Sequence, residues 1–236
     1  MTAPVTVAID GPSGSGKSTI SRRLAAAEGL AYLDTGAMYR AATWWCRRQG
    51  VELTDTAAVS AAVATMPLEM GTDPGDPTIV CDGVDITATI RTSEISSVVS
   101  AVATNLDVRA QLRERQRAII AAERRPGGHS EGRGIVAEGR DITTVVAPDA
   151  DVRILLTADE AARLARRARE LHGTVDERAI AATRDEVVGR DAQDSTVSTF
   201  LTAANGVVTV DSSALDIDQT FDVVRRVVAQ AREGAR

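Results

Sequence analysis

Residues 11–18 read GPSGSGKS, a G-x-x-x-x-G-K-[ST] run with every fixed position filled. Gly11, Gly14 and Gly16 let successive backbone N–H groups turn inward, so that this loop, with Pro12, Ser13 and Ser15 between the glycines, forms a cradle for phosphate oxygens. A helix entered at Lys17 and running through Thr19 adds the partial positive charge of its N-terminus. Lys17 supplies a point charge for the outer phosphates, and the Ser18 hydroxyl can ligate the Mg²⁺ that travels with them. The chemistry is nucleoside triphosphate binding; the loop alone leaves open what is done with the triphosphate.

Other residues narrow the choice. A GTPase needs a guanine-reading N-K-x-D stretch, and the sequence has none. A motor ATPase needs a strand ending in paired acids. Asp159 and Glu160 follow the apolar run 154–156 two residues too late and suit the first turn of a helix instead. A phosphotransferase needs a second anion site and a cover that excludes water. Arg40, after DTGAMY at 34–39, and Arg140, after EG at 138–139, each stand just past an expected strand. Ligands of open parallel sheets bind at the carboxyl ends of the strands, and the guanidinium fork suits phosphate. Arg163, Arg166 and Arg167 fall on one helix face, a spacing that serves a solvated charged surface as well as an anion-binding one. His129, in a Gly-rich loop, and His172, at a helix end, read as surface histidines; transfer to an ionised phosphate oxygen asks for little proton transfer.

The elements that must position these groups follow from periodicity. Apolar runs at 5–9, 30–33, 135–138, 152–156 and 207–210 read as short strands of a parallel sheet, the first with the pattern of a strand buried on both faces. Helices are expected at 17–28, 37–49, 56–65, 92–104, 107–124 (capped by Asp107), 159–171, 176–190, 195–203 and 216–232. Residues 67–91 carry DPGDP and a strand–Asp-Gly signal at 78–83, the texture of a strand-rich insertion with a β-hairpin. Pro126 and four glycines make 125–134 an exposed loop of variable conformation. No internal repeat is present.

The 236 residues suit one α/β domain, and a net charge of −6 with few aromatics argues against a nucleic-acid polymer as partner. The first ten residues lack a charged and apolar leader, and no apolar run approaches a membrane span, so a cytoplasmic protein with no membrane partner is expected. Cys46 and Cys81, far apart in sequence, read as buried reduced thiols.

Taken in order, AIDGPSGSGKST at 8–19, LDTGAMYR at 33–40, GVDITATIR at 83–91, SAVATNLDVRAQLRERQR at 100–117, VAEGRDITTVVAPDADVRILL at 136–156 and GRDAQDST at 189–196 resemble the bacterial cytidylate kinases, within the nucleoside monophosphate kinases. The likeness runs over nearly the whole chain. It implies a P-loop kinase fold: a five-stranded parallel sheet flanked by helices, with a monophosphate-binding part at 35–105 enlarged by the insertion at 67–91, and an arginine-bearing helical lid at 159–173. By matching position it places Thr35, Arg109 and Asp141 on the cytosine, with Tyr39 and Glu138 also in the acceptor site. Arg40 and Arg140 would hold the acceptor phosphate, and Ser100, Arg190 and Asp194 would lie around the sugar. Arg190 would also approach the transferring phosphoryl group, and Arg163 and Arg167 the donor phosphates. The family usually has glycine where Thr143 stands, and a site demanding positive φ would strain a β-branched residue there. Val197 replaces a common arginine and removes one positive contact near the acceptor. The expectation is a monomeric ATP-dependent, Mg²⁺-assisted kinase of CMP and dCMP. Its rivals are a P-loop kinase for another small acceptor and a nucleotide-binding regulatory module without turnover.

Overall fold

The computed structural model describes residues 3–234, without the side chains of residues 185 and 186. Five strands form the central sheet: β1 (Val5–Asp10), β2 (Ala31–Asp34), β6 (Gly134–Gly139), β7 (Val152–Thr157) and β8 (Val208–Asp211), in the order β2-β6-β1-β7-β8 and all parallel. All six residues of β1 are buried, because helices cover both faces of the sheet. Alternation along the strands divides their side chains between two cores. Val7, Ile9, Val136 and Leu156 pack against Leu24 of α1 (Lys17–Glu28) and against Phe221 and Val224 of α10 (Ile217–Gly234). Ala8, Leu33 and Ala137 pack on the other face. There they meet Met38 and Trp45 of α2 (Thr35–Arg48), Val59 of α3 (Thr56–Ala64), Val102 of α5 (Val99–Ala103) and Leu112 of α6 (Leu106–Glu123). Each buried Val, Leu, Ile, Met or Phe side chain among them contributes roughly 1.5–3 kcal/mol, which fixes the sheet that carries the loops.

A smaller antiparallel sheet of β3 (Leu68–Met70), β4 (Ile79–Cys81) and β5 (Val84–Asp85) forms the insertion. The remaining helices are α4 (Ser93–Ser96), α7 (Glu160–His172), α8 (Glu177–Arg184) and α9 (Arg190–Asp194). Among the described residues no helix is long and apolar enough to cross a membrane. Cys46 and Cys81 are buried free thiols, as expected.

Several expectations are corrected. The helix expected at 92–104 is broken into α4 and α5, with a 3₁₀ turn (Thr89–Arg91) just ahead of it. Hydroxyl groups there bond back to nearby carbonyls, Thr92 to Thr89 at 2.9 Å and Ser97 to Glu94 at 3.3 Å, competing with the helical ladder. Asn105, not Asp107, caps α6, its Oδ1 accepting from the Asp107 and Val108 amides. The stretch 176–190 is α8 followed by a π-helical turn at Asp185–Gly189. Residues 195–203 are not helical. Ser195 and Ser198 donate to the carbonyls of Asp191 and Asp194 and end the helix. The loop at 125–134 is largely exposed, and Glu123 accepts from its His129 and Ser130 amides and from the Thr72 hydroxyl.

Candidate active site

β1, β2 and β6 end at one edge of the sheet, and the residues that follow each of them are placed there together. β1 runs into the loop of residues 11–16. Gly14 lies at φ +75°, and a Cβ on it would come 2.6 Å from the Arg163 carbonyl, so α7 rests directly on the loop. Gly16, at φ 89°, opens α1 without any side-chain cap, which leaves the first-turn amides of the helix for an anion. β2 ends in Asp34, whose Oδ1 caps α2 through the Ala37 amide at 2.9 Å and whose Oδ2 meets Arg91 at 3.1 Å. β6 ends in Glu138 and hands the chain to Arg140 and Asp141.

A cavity of about 220 Å³ lies among these ends, lined on its basic side by Lys17, Ser18, Arg40, Arg140, Arg167 and Arg190, with Asp34 and Glu138 facing them. Burial pulls the Lys17 ammonium below its ordinary pKa; Arg140 and Arg190 push the same way, while Glu138 and Asp34 oppose them. Burial, together with Arg40 and Arg140, brings Arg190 down to about 9, so it is still protonated near neutrality. Like charges have thus been gathered in one low-dielectric pocket, an arrangement that a polyanion relieves. Glu138 is 1% exposed, and burial, then the neighbouring Asp34, raises its pKa. Its Oε1 accepts from the Tyr32 hydroxyl at 2.7 Å, and its Oε2 finds no hydrogen-bond partner among the described residues.

Asp191 joins the two halves of the cleft. Its carboxylate accepts from the Ser13 amide at 3.1 Å, from Arg163 at 2.5 Å and from Arg140. Arg163 also donates to the Ser13 carbonyl at 3.0 Å, and Arg166 to Ser212 and to the Ser15 carbonyl. Three of the α7 arginines do not form a solvated face: Arg163 and Arg166 brace the loop, while Arg167, which pairs with Glu170 at 2.9 Å, lines the cavity. Arg40 reaches the Ser96 hydroxyl at 2.5 Å, and Arg140 lies 4.5 Å above the Phe200 ring. Asp194 pairs with Arg140 at 3.0 Å and Arg190 at 3.6 Å, and its buried Oδ1 has no hydrogen-bond partner among the described residues. Ser100 and Arg190 line a neighbouring groove of about 380 Å³ between α4–α5 and α8–α9.

A third cluster is made by α6 against the end of β6. Arg109 and Arg113 both pair with Asp141, and the Arg109 guanidinium lies 5.7 Å from the Tyr39 ring. Thr35 donates to the Glu138 carbonyl at 2.7 Å, which brings it beside this turn. Thr143 is unstrained: Asp82 and Glu131 are the described non-glycine residues with positive φ, and Thr143 lies in a π-helical turn (Ile142–Val146). Its hydroxyl and amide, with the Ile142 amide, bond to the buried Asp10 carboxylate at 2.6, 2.8 and 2.9 Å. Val197 closes the turn after α9 and carries no charge. Of the residues expected at the site, Lys17, Ser18, Arg40, Glu138, Arg140, Arg167 and Arg190 line the one cavity, whereas Ser100 lies on the neighbouring groove, Arg163 on the loop, and Thr35, Tyr39, Arg109 and Asp141 in the cluster against α6. Sequence reasoning missed Arg91, Arg113 and Asp191. Helical spacing from Arg109 was the one available signal for Arg113, and the acid after Arg190 the one for Asp191. His129 and His172 stand apart from the cavity lining. Among the described residues no group of three or more His, Cys, Asp or Glu side chains could hold a metal.

A sequence model described as cytidylate kinase matches residues 7–233. The cytidylate kinase of Streptomyces coelicolor is 48% identical over 235 residues, covering 99% of this chain and 96% of that one. That of Cutibacterium acnes is 50% identical over 224 residues, covering 94% and 95%. Among solved structures, an uncharacterised protein from Eubacterium ventriosum shares the fold, with a TM-score of 0.51 and 12% identity over 95% of this chain and 98% of that chain.

Proposed function

The chain belongs to the cytidylate kinase family, and from that premise we propose that it transfers the γ-phosphoryl group of ATP to CMP and dCMP. The observation that carries the reading is the convergence of Lys17, Arg40, Arg140 and Arg190 on one cavity beside a helix N-terminus left uncapped. Two polyanions repel, and only fixed positive charge between them lets an acceptor oxygen approach the γ-phosphorus.

The loop 11–16 and the first turn of α1 hold the donor phosphates, with Lys17 and Arg167 on their outer oxygens. Arg40 and Arg140 hold the acceptor phosphate, and Arg190 stands between the two. An oxygen of the acceptor phosphate bonds to the γ-phosphorus while the bond to the ADP oxygen breaks, giving ADP and the nucleoside diphosphate. The acceptor oxygen is already ionised, so no general base is required. Asp194, with its buried unpartnered Oδ1, and Ser100 suit the sugar hydroxyls; Asp141, Arg109 and Thr35 suit the amine, ring nitrogen and carbonyl of cytosine. The segment 159–173 is the lid, and Arg163, held by Asp191 and the Ser13 carbonyl, keeps its base on the P-loop.

Ser18 and the acidic side of the cavity fit a magnesium ion: the cation takes oxygen donors, and the Glu138 Oε2 is a buried carboxylate oxygen without a partner. Ser18 would hold it, with Asp34 and Glu138 nearby, and when bound it neutralises charge on the phosphates. An acceptor panel of CMP, dCMP, UMP, AMP and GMP with ATP, read by ADP release and product identity, tests the reading. CMP and dCMP should be the preferred acceptors. A preference for another acceptor, or ATP binding with transfer to none, would overturn it.

A further inference from the structure

We propose that Arg113 is a specificity-determining positioning residue of the acceptor base site, fixing Asp141 as a pure hydrogen-bond acceptor. The inference rests on the cytidylate-phosphorylating reading above. Arg109 and Arg113 are one helical turn apart on α6, so both reach the end of β6 from the same face. Arg113 donates to Asp141 Oδ2 through Nε at 3.0 Å and through Nη2 at 2.8 Å, and Arg109 Nη2 reaches the same oxygen at 2.7 Å. Three charged donors saturate one carboxylate oxygen. Among the described residues no hydrogen bond arrives at Oδ1, which leaves that oxygen for a ligand.

The two arginines do different work. Arg109 is 4% exposed, shares its guanidinium between Asp141 and the Ala103 carbonyl at 3.0 Å, and keeps a buried Nε without a hydrogen-bond partner among the described residues. It is the arginine with donor capacity left for a base. If it turns an N–H toward a ligand, Asp141 gives up one of its donors, and the Asp141 side chain is only 5% exposed. Arg113, whose own side chain is 23% exposed, approaches from the solvent side and keeps two bonds on Oδ2 whatever Arg109 does. A carboxylate clamped at Oδ2 by two guanidinium groups presents Oδ1 as its one open acceptor. Its open oxygen therefore matches an exocyclic amine. A base that presents a carbonyl at that ring position, as uracil does where cytosine has its amine, sets acceptor against acceptor in a buried site, an arrangement that discriminates strongly.

The test compares the parent enzyme with R113L, which keeps the apolar stem, and R113K, which keeps a charge without the fork. KM and kcat are measured for CMP, UMP and ATP. In R113L the KM for CMP should rise about tenfold and the CMP-to-UMP ratio of kcat/KM should fall by a similar factor, while kcat with CMP and the KM for ATP stay within about twofold. R113K should fall between. A ratio unchanged in both variants overturns the proposal, as does a general loss in which kcat and the KM for ATP move together with the KM for CMP. A parent enzyme that ignores CMP overturns the base-site reading and this inference with it. A parent that uses CMP, with R113L retaining its ratio, overturns this inference alone.

Discussion

Replacing Thr143 by Val keeps the β-branched shape and deletes one hydroxyl. That hydroxyl donates at 2.6 Å to Asp10, a carboxylate 1% exposed at the end of the central strand, which then keeps only the Ile142 and Thr143 amides. A hydrogen bond to a buried charge contributes about 1.5–3 kcal/mol, so T143V should lose about 2 kcal/mol of stability, or roughly 4–8 °C in Tm for a chain of this size. The loss should depend on pH. Burial raises the Asp10 pKa in the folded state, while its hydrogen bonds to Thr143 and Ile142 lower it and nearby Asp141 raises it further. A carboxyl group whose folded pKa lies above its unfolded one favours the folded state fully at low pH, and that contribution is lost as pH rises through the folded pKa. Removing the Thr143 donor raises the folded pKa again, so the deficit of T143V is largest in mildly alkaline buffer and shrinks in acid. Urea denaturation of the parent, T143V and T143S at both pH values measures it, with T143S close to the parent. A deficit below about 0.5 kcal/mol, or one equal at the two pH values, refutes the reasoning.

Lys17→Ala should reduce turnover by orders of magnitude while the urea midpoint stays near that of the parent; near-normal activity would remove Lys17 from the donor site. Arg140→Ala should raise the KM for CMP roughly tenfold or more and move the KM for ATP much less, as steady-state kinetics with each substrate varied will show. Burial pushes the Cys46 thiol up to about 11 and raises that of Cys81, so a chromogenic disulfide reagent should label neither in native buffer and both in denaturant.

Much of this was readable from residue order alone where the signal is local. The GPSGSGKS loop needs only its own glycines and the strand and helix on either side, and α1 and β1 fall within a residue of their expected bounds. The buried strands announced themselves as short apolar runs. What escaped depends on contacts between distant segments. Beyond its helical spacing from Arg109, nothing local marks Arg113; only the arrival of Asp141, brought in by β6, makes it part of that charged cluster. Asp191 acts through the Ser13 amide, 178 positions away. Thr143 looked like a misfit because glycine is usual there, whereas its hydroxyl ties the turn to Asp10. The two π-helical turns, next to Asp141 and Arg190, leave no periodic trace, since each adds a residue where the apolar pattern is too short to show it.

The central claim is that one cationic cleft aligns two phosphate chains. It is tested most directly by a structure of the enzyme with a non-hydrolysable ATP analogue and CMP bound together. The CMP phosphate should lie between Arg40 and Arg140, the γ-phosphate against Lys17, and Arg190 should touch both. A CMP phosphate bound remote from Arg40 and Arg140 would contradict it.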